Sequence, residues 1–406
     1  MLHTATFAPL RHRAFAVVVS ASLLANLGNT VQSVGASWHL TELGYPADVV
    51  ALVQTAYNLP IMLLGLPAGA WSDMVDKRKM LLVALAGMLG VSVLLAALVQ
   101  ADVAGPVAII ALTAMLACGV GCVIPAAASS VNFSVPRTEL AAAVALNILG
   151  FNVARSFGPA LGGAITSLAG ASGAFVFSAV AYALVIALLW RWRVPIEQNL
   201  NRRPIMPMMA EGLRFAFHSP QLRAIMIRGF LFTLAGAAAW AVMPLFAAQV
   251  LGAGSFVYGL LLAALGVGAV IGAGTATWFR SRYSSEAIIR ASGLIYGTGC
   301  VAVALQPGLP ATFVLLVFAG AGWVQALSGF AVAGQLWATQ AVVGRVSSMI
   351  SGVTFGGIAI GSWLWGHAGD SFGITTAFMA SGAAMIVLPL LGLVLPMPAH
   401  RVAHAD

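Results

Sequence analysis

The sequence predicts an all-α integral membrane protein: twelve transmembrane helices in two pseudo-symmetric bundles of six, with both termini cytoplasmic. Three observations lead there. Hydrophobic residues make up 61% of the chain and charged residues 7%, against about 25% charged in a soluble domain. The 406 residues accommodate a dozen spans of about 20 apolar residues each, joined by short loops. The chain also repeats itself: Gly69 and Gly272, Lys77 and Arg280, Lys79 and Arg282, Gly158 and Gly361, and Gly163 and Gly366 each stand 203 positions apart.

The repeat sets the domain reading. Residues 1–192 form a first six-helix bundle, 193–221 a cytoplasmic linker and 222–406 a second six-helix bundle. The linker is the one long polar stretch, with Arg202, Arg203 and prolines at 195, 204 and 207. A net charge of +8 would point to nucleic acid in a soluble domain. At this hydropathy the cations are topology signals retained on the cytoplasmic side, and no nucleic-acid partner is expected. Of the 19 Lys and Arg, only Arg155 falls outside the expected cytoplasmic loops and the helix ends flanking them. Cys118, Cys122 and Cys300 lie in apolar runs, without a disulfide framework or zinc spacing. The apolar run after Arg11 and Arg13 is too long for a signal-peptide core and is the first span.

Span 1 covers about 14–38 and carries Asn26, Asn29, Thr30 and Ser33 on one face by steps of three and four. Such a stripe lines a water-filled cavity or glues helices together. The connection 41–48 holds Glu42 and Asp48 and no cation, which suits the external side. Span 2, about 49–71, offers Gln54 and Asn58 one turn apart as cavity candidates; Pro60 and Pro67 are kinks that a bundle tolerates. It runs into Gly65–Lys79, GLPAGAWSDMVDKRK, the stretch around which the chain is organised. There Asp73 sits at a helix C-terminus, where the dipole disfavours it by about 0.3 kcal/mol or more, so it needs a partner. Lys77, Arg78 and Lys79 mark this turn as cytoplasmic.

Span 3 covers about 80–100 and span 4 about 106–131, whose Gly and Ala content suits close helix contact. The loop 132–140 returns Arg137 and Glu139 to the side of Asp73. Span 5, about 141–168, contains Arg155 some way into the membrane. An arginine at mid-depth costs at least about 2.5–3.5 kcal/mol, so it faces protein, water or an anion. It contacts substrate, locks helices, or is tied to carbonyls or to Asn152. The stretch GPALGG follows; Gly158, Pro159, Gly162 and Gly163 remove side chains and a backbone donor, so the helix packs closely on a partner. Span 6 is about 174–192, and the second half places spans near 222–250, 257–279, 287–306, 311–337, 346–366 and 374–397. TWFRSRYSSE is a decayed copy of the organising turn without its aspartate, and GGIAIGSWLWG copies the glycine-proline stretch with Ser362 for the proline. Trp240 and Gln325 are the cavity candidates of this half; its other tryptophans read as core or interface belt.

The spacing G-x-x-x-D-x-x-x-[KR]-[KR]-[KR], Gly69 to Lys79, resembles the loop between helices 2 and 3 of the major facilitator superfamily. The stretch Gly158 to Gly163 resembles the antiporter signature of that superfamily's drug exporters. ALVQTAYNLPIMLLGLPAGAWSDMVDKRK and LAAAVALNILGFNVARSFGPALGG look like the branch called transmembrane secretion effectors, similar to the macrolide and enterobactin exporters. The resemblance covers nearly the whole chain. It implies a proton-driven exporter of a small amphipathic molecule, drug-like or siderophore-like, through alternating access. It implies that Asp73 engages the start of helix 11, near Arg345 to Ser348, and that Gly69, Lys77, Arg78, Lys79, Arg137 and Glu139 join that latch.

Relatives often have an acidic residue where this chain has Asn29, and no Asp or Glu lies in the middle of a span. Asp73, Glu139 and Asp48 are what remain for proton coupling. Without paired carboxylates, metal spacing or an activated nucleophile, no enzyme activity, cofactor or metal is expected. The rivals are a lipid flippase of the same fold, a non-transporting membrane sensor or scaffold, and uptake in place of export. The expected partners are the substrate, protons and the bilayer, around a monomer in the inner membrane.

Overall fold

The computed structural model describes residues 8–132, 134–190, 214, 218–338 and 343–397, without the side chains at 66, 70, 72–74, 129 and 132. The expected linker 193–221 therefore lies outside the described residues, apart from 214 and 218–221. Among the described residues there is no strand, and ten helices are long and apolar enough to cross a membrane. The eleven long helices of the described residues in order are α1 (Arg13–Glu42), α2 (Ala47–Met74), α3 (Lys77–Gln100), α4 (Pro106–Asn132) and α5 (Leu140–Trp190), then α6 (Pro220–Gly236), α7 (Ser255–Arg280), α8 (Ser285–Ala304), α9 (Leu309–Trp337), α10 (Val343–Phe372) and α11 (Ile374–Val387). Of these, α6 falls short of a full crossing by itself.

Spans 5 and 6 follow each other without a loop: Leu140–Trp190 is two helical arms that meet at Gly170, where the backbone leaves helical geometry with φ 66°. At about 1.5 Å per residue the two arms together are far too long for one crossing, and the chain folds back on itself at the glycine. Gly158 and Gly162 in its first arm meet Thr30 and Val31 of α1, running parallel. In the second arm Ala174 meets Gly35 and Tyr182 meets Gly28, running antiparallel. One left-handed glycine makes the reversal, which leaves no polar loop for the sequence to show. Gly373, 203 positions on, does the same between α10 and α11 with φ 89°.

One expectation on helix bounds is corrected: span 7, expected as one helix over 222–250. The α-helix ends at Gly236; short turns Ala238–Ala241 and Met243–Leu245 and a π-helical turn Phe246–Val250 carry the chain on. Pro244 lacks an amide, and Gly236 admits the ring of Trp323, 2.6 Å from where a Cβ would stand. The carbonyls at the break find side-chain donors. Trp365 Nε1 donates to Leu234 O at 2.8 Å, Ser381 Oγ to Ala235 O at 2.5 Å and Tyr296 OH to Gly236 O at 2.6 Å. A broken helix at membrane depth survives only with such partners.

The helices up to α5 pack on one another, as do α6 to α11, and the two sets meet chiefly through α2 on α10 and α5 on α7. The contacts are uneven along the bundle. One end carries Lys77–Lys79, Arg137, Arg280, Arg282 and Arg290; we term it the basic end. At the opposite end the two sets touch backbone to backbone: a Cβ on Gly163 would stand 2.5 Å from Ser255 O and 2.8 Å from Gly259 Cα. Gly366 lies as close to Ala47, Asp48 and Ala51, and the Trp38 and Tyr258 rings stack at 5.9 Å. Toward the basic end the sets part. Met62 still touches Gly356, but a Cβ at Gly65 or Gly69 would meet open space.

Charge ties off the helix ends at the basic end. Asp76 caps α3, its Oδ1 accepting from Arg78 N at 2.9 Å. The Arg78 guanidinium donates to Leu189 O at 3.0 Å and Trp190 O at 2.6 Å, the last carbonyls of α5. In the second set Arg228, 3% exposed, grips the Glu286 carboxylate with both terminal nitrogens, at 2.5 and 3.1 Å. Arg290 Nε and Met397 N also donate to that carboxylate, and Arg228 donates to Leu395 O. The segment after α11 is thereby fastened to the start of α8. Removing one partner of a buried pair strands the other charge. Arg228→Met is therefore expected to cost roughly 2–3 kcal/mol, below the 3–5 of a fully buried pair, because Arg290 remains. Thermal unfolding in detergent should drop by several degrees; an unshifted midpoint would discard this account of the clasp.

Candidate functional site

Arg155 stands in the first arm of α5, half-buried, where that helix crosses α7: the Arg155 carbonyl lies 2.8 Å from where a Cβ on Gly266 would be. Its guanidinium lies over the Trp240 ring, 5.1 Å from the centroid. Trp240 projects from the broken stretch after α6. The site thus joins an arginine of the first set to the helix break of the second. The guanidinium makes no ion pair and no hydrogen bond among the described residues, and its ordinary electrostatic neighbours are the phenols of Tyr57 and Tyr296. A π face offsets part of the cost of a desolvated cation, by about 2 kcal/mol, but supplies no acceptor for its five N–H groups.

Behind Trp240 the aromatics continue. Trp323 lies 6.3 Å from it, with Tyr296 at 5.2 Å and Phe232 at 5.5 Å from Trp323, and Phe330 at 5.9 Å from Phe232. Trp323 and Tyr296 are fully buried, so they form a fixed wall. The Trp240 and Trp323 indole N–H groups are buried without a partner among the described residues. The chemistry of the site is therefore one-sided. It presents a permanent cation, unmatched donors and π faces, and no carboxylate among the described residues, where every Asp and Glu lies at a helix end or in a loop. Such a surface is complementary to a ligand with a flat apolar body and carbonyl or anionic oxygens.

The other cavity candidates are placed differently. Asn29 is buried, its Oδ1 accepting from Tyr182 OH at 2.6 Å inside the first set. Asn26 donates to Ser22 O at 2.7 Å in its own helix. Gln54 ties α2 to α1 through Ser33 Oγ at 3.3 Å, and Asn58 donates back to Gln54 O at 2.7 Å. Asn152 is half-buried and makes no bond to Arg155 among the described residues; its carbonyl accepts from Ser156 Oγ at 2.9 Å. Gln325 lies buried on the face of α9 turned to α7, donating to Thr275 Oγ1 at 3.2 Å. Of the candidates, Arg155 and Trp240 are brought together by the fold.

The glycine-proline stretch divides its labour. Gly158 and Gly162 face α1, while Gly163 and the Pro159 carbonyl face α7 at Gly259. Their counterparts repeat the arrangement: Gly361 faces Leu234 and Ala237 of the first helix of its own set, and Gly366 faces α2 of the other set. At the organising turn, the Asp73 side chain and residues 339–342 before α10 lie outside the described residues, so its expected contact with the start of helix 11 does too. Lys77 is buried at the first position of α3, Lys79 and Arg137 are exposed, and Arg345 is half-buried in the first turns of α10. Glu139 is engaged by His12 Nε2 at 3.2 Å. Asp76, His12 and the Arg228–Glu286 clasp escaped sequence reasoning. For Asp76 the signal was present: an aspartate immediately before a helix is an N-cap.

The profile of a family described as transmembrane secretion effector matches residues 4–405. The staphyloferrin A transporter of Staphylococcus aureus is 23% identical over 378 residues, covering 92% of this chain and 94% of that protein. The multidrug efflux pump Tap of Mycobacterium tuberculosis is 26% identical over 403 residues, 94% of this chain and 93% of that one. Among solved structures, a bacterial homologue of the human lysosomal transporter Spinster, inward-facing and unoccupied, superposes with a TM-score of 0.75 at 16% identity, covering 96% of each chain. A D-xylose–proton symporter gives 0.73 at 14% identity, over 96% of this chain and 98% of that one. The structural likenesses speak to the fold.

Proposed function

The chain belongs to the transmembrane secretion effector family, a multi-pass inner-membrane protein, and from that premise we propose that it is a proton-coupled exporter of small amphipathic molecules working by alternating access. The observation that carries the reading is the Arg155–Trp240 pair, an unmatched cation and a helix break meeting at the junction of two helix sets. Discontinuous helices at a repeat interface mark the substrate site in transporters. The names of two relatives, a siderophore transporter and a multidrug pump, support a substrate that is amphipathic and rich in oxygen acceptors.

Twelve crossings follow if α5 is counted twice and the broken run from Pro220 to Val250 once. Six reversals at the end opposite the basic one, with positive φ at Gly44, Asp102, Gly170, Gly252, Gln306, Gly308 and Gly373, support that count. Excess Lys and Arg place the basic end in the cytoplasm. The two sets, 1–192 and 222–406, are then the rocking bundles, and 193–221 links them. This conformation is closed outside at Gly163–Gly259 and Gly366–Ala47 and parted inside. It is the state that loads substrate from the cytoplasm. The opposite state brings Gly69, Asp73, Lys77, Lys79, Arg137 and Glu139 toward the start of α10 near Arg345. Protons and substrate shift the balance by binding the two states unequally.

The test is flux in everted vesicles under an imposed pH gradient, with siderophores, macrolides and lysolipids as substrates, in wild type and Asp73→Asn. Gradient-dependent uptake of a siderophore or macrolide is expected, reduced at least tenfold by Asp73→Asn with insertion unchanged. Undiminished flux in that variant removes the latch, and lysolipid movement without drug or siderophore flux replaces the exporter by a flippase.

A further inference from the structure

A second concave surface lies away from Arg155, on the first helix set. An apolar groove of about 380 Å³ runs between α3 and α4 under the end of α2, within the roughly 300–1,000 Å³ usual for a small-molecule site. Trp71, Val75 and Lys79 form its mouth at the basic end, and Gly87, Met88 and Met115 its inner part. From Lys79 to Met88 the groove follows nine residues of α3, about 13 Å of depth. Its outer walls are exposed, Val83 at 73% and Met115 at 60%, while Met80 and Met88 at its floor are buried. The helices that form it pack against other members of the first set, so the groove opens outward, to the bilayer.

The charge at the mouth decides the occupant. Of the three cations at the start of α3, Lys77 is buried and Arg78 is committed to the Leu189 and Trp190 carbonyls. The Lys79 ammonium is exposed and makes no ion pair among the described residues. Trp71 beside it is half-exposed, the placement of an indole at the headgroup level. An exposed cation at headgroup depth above a chain-wide apolar slot is complementary to one molecule of the surrounding solvent, an anionic phospholipid. We propose that the groove holds an acyl chain of an anionic lipid of the cytoplasmic leaflet, with its phosphate on Lys79. The site shares Trp71, Val75 and Lys79 with the organising turn, so a bound lipid sits where the inner ends of α2 and α3 must move.

The test is photo-crosslinking in nanodiscs with phosphatidylglycerol or phosphatidylcholine carrying a diazirine in the acyl chain, followed by peptide mapping. The phosphatidylglycerol probe is expected to label peptides containing Val83–Met88 or Met115–Cys122 about fivefold more than the phosphatidylcholine probe, the weight of one cation at an anionic surface. Lys79→Ala should bring the two probes level. Gly87→Leu is a second variant, placed where a Cβ meets open space; it should fill the slot and remove labelling by both. Equal labelling of wild type by the two probes, adducts confined to other helices, or undiminished labelling in Gly87→Leu would each overturn the assignment.

Discussion

Replacing Gly163 by valine is expected to abolish transport while leaving the protein inserted. A Cβ there would lie 2.5 Å from the Ser255 carbonyl and 2.8 Å from Gly259 Cα, both backbone atoms of α7. Neither can swing aside as a side chain would, so α5 and α7 must separate at the end opposite the basic one. Overpacking of this kind costs about 1–3 kcal/mol. Conformers of a transporter differ by only a few kcal/mol, so that cost moves the populations by roughly ten- to a hundredfold, at about 1.4 kcal/mol per factor of ten. The state closed at Gly163–Gly259 should give way to the one open there. The check is alkylation of a Ser37→Cys reporter by a membrane-impermeant maleimide from outside, together with flux. Ser37 is 1% exposed beneath this closure, and its labelling should rise at least tenfold in Gly163→Val. Gly366→Val, against Ala47 and Asp48 of α2, should act alike. Gly90→Val, where the Cβ meets open space, should be silent. Normal flux and unchanged labelling in both crowded variants would sink the closure.

These glycines also mark how far the sequence could be read. The 203-residue offset located Gly158–Gly163 and Gly361–Gly366 and foresaw close packing there. Periodicity cannot say which neighbour each glycine meets, because both faces of a membrane helix are apolar; the division between α1 and α7 emerges only in three dimensions. The same blindness affects the polar residues. Asn26, Asn29, Thr30 and Ser33 share a stripe by spacing, yet Asn29 is spent on Tyr182 within one set. A stripe that lines water and one that glues helices look identical in a sequence. Arg155 was legible because a lone mid-span cation is costly wherever it points. Its partner's setting was less so: nothing in AGAAAWAVMPL announces that the helix stops at Gly236, since the donors that permit the break, Trp365, Ser381 and Tyr296, come from three distant helices.

Arg155→Ala should discriminate among substrates, and the reason is the absence of an acid beside it. When Arg228 is removed, Glu286 loses its main partner and the fold is weakened; when Arg155 is removed, no carboxylate is stranded, because none is bound to it among the described residues. The cost therefore falls on whatever the guanidinium holds. A hydrogen bond to a charged group contributes about 1.5–3 kcal/mol, so export of an anionic substrate should fall by roughly ten- to a hundredfold, at about 1.4 kcal/mol per tenfold. A neutral or cationic substrate has no such contact to lose, and its flux should stay within about threefold, a shift under 1 kcal/mol. Arg155→Lys separates charge from shape. It keeps the cation but not the planar fork that stacks on Trp240 and pairs two oxygens at once, so anionic flux should recover in part. The measurement is initial flux against concentration for one anionic and one neutral substrate in the same vesicles, with thermal stability alongside. Equal loss for both substrates, with a lowered unfolding midpoint, would make Arg155 a brace for α5 against the broken helix. Selective loss with unchanged stability leaves the cation with one role, holding the anionic face of the cargo at the point where both bundles touch it.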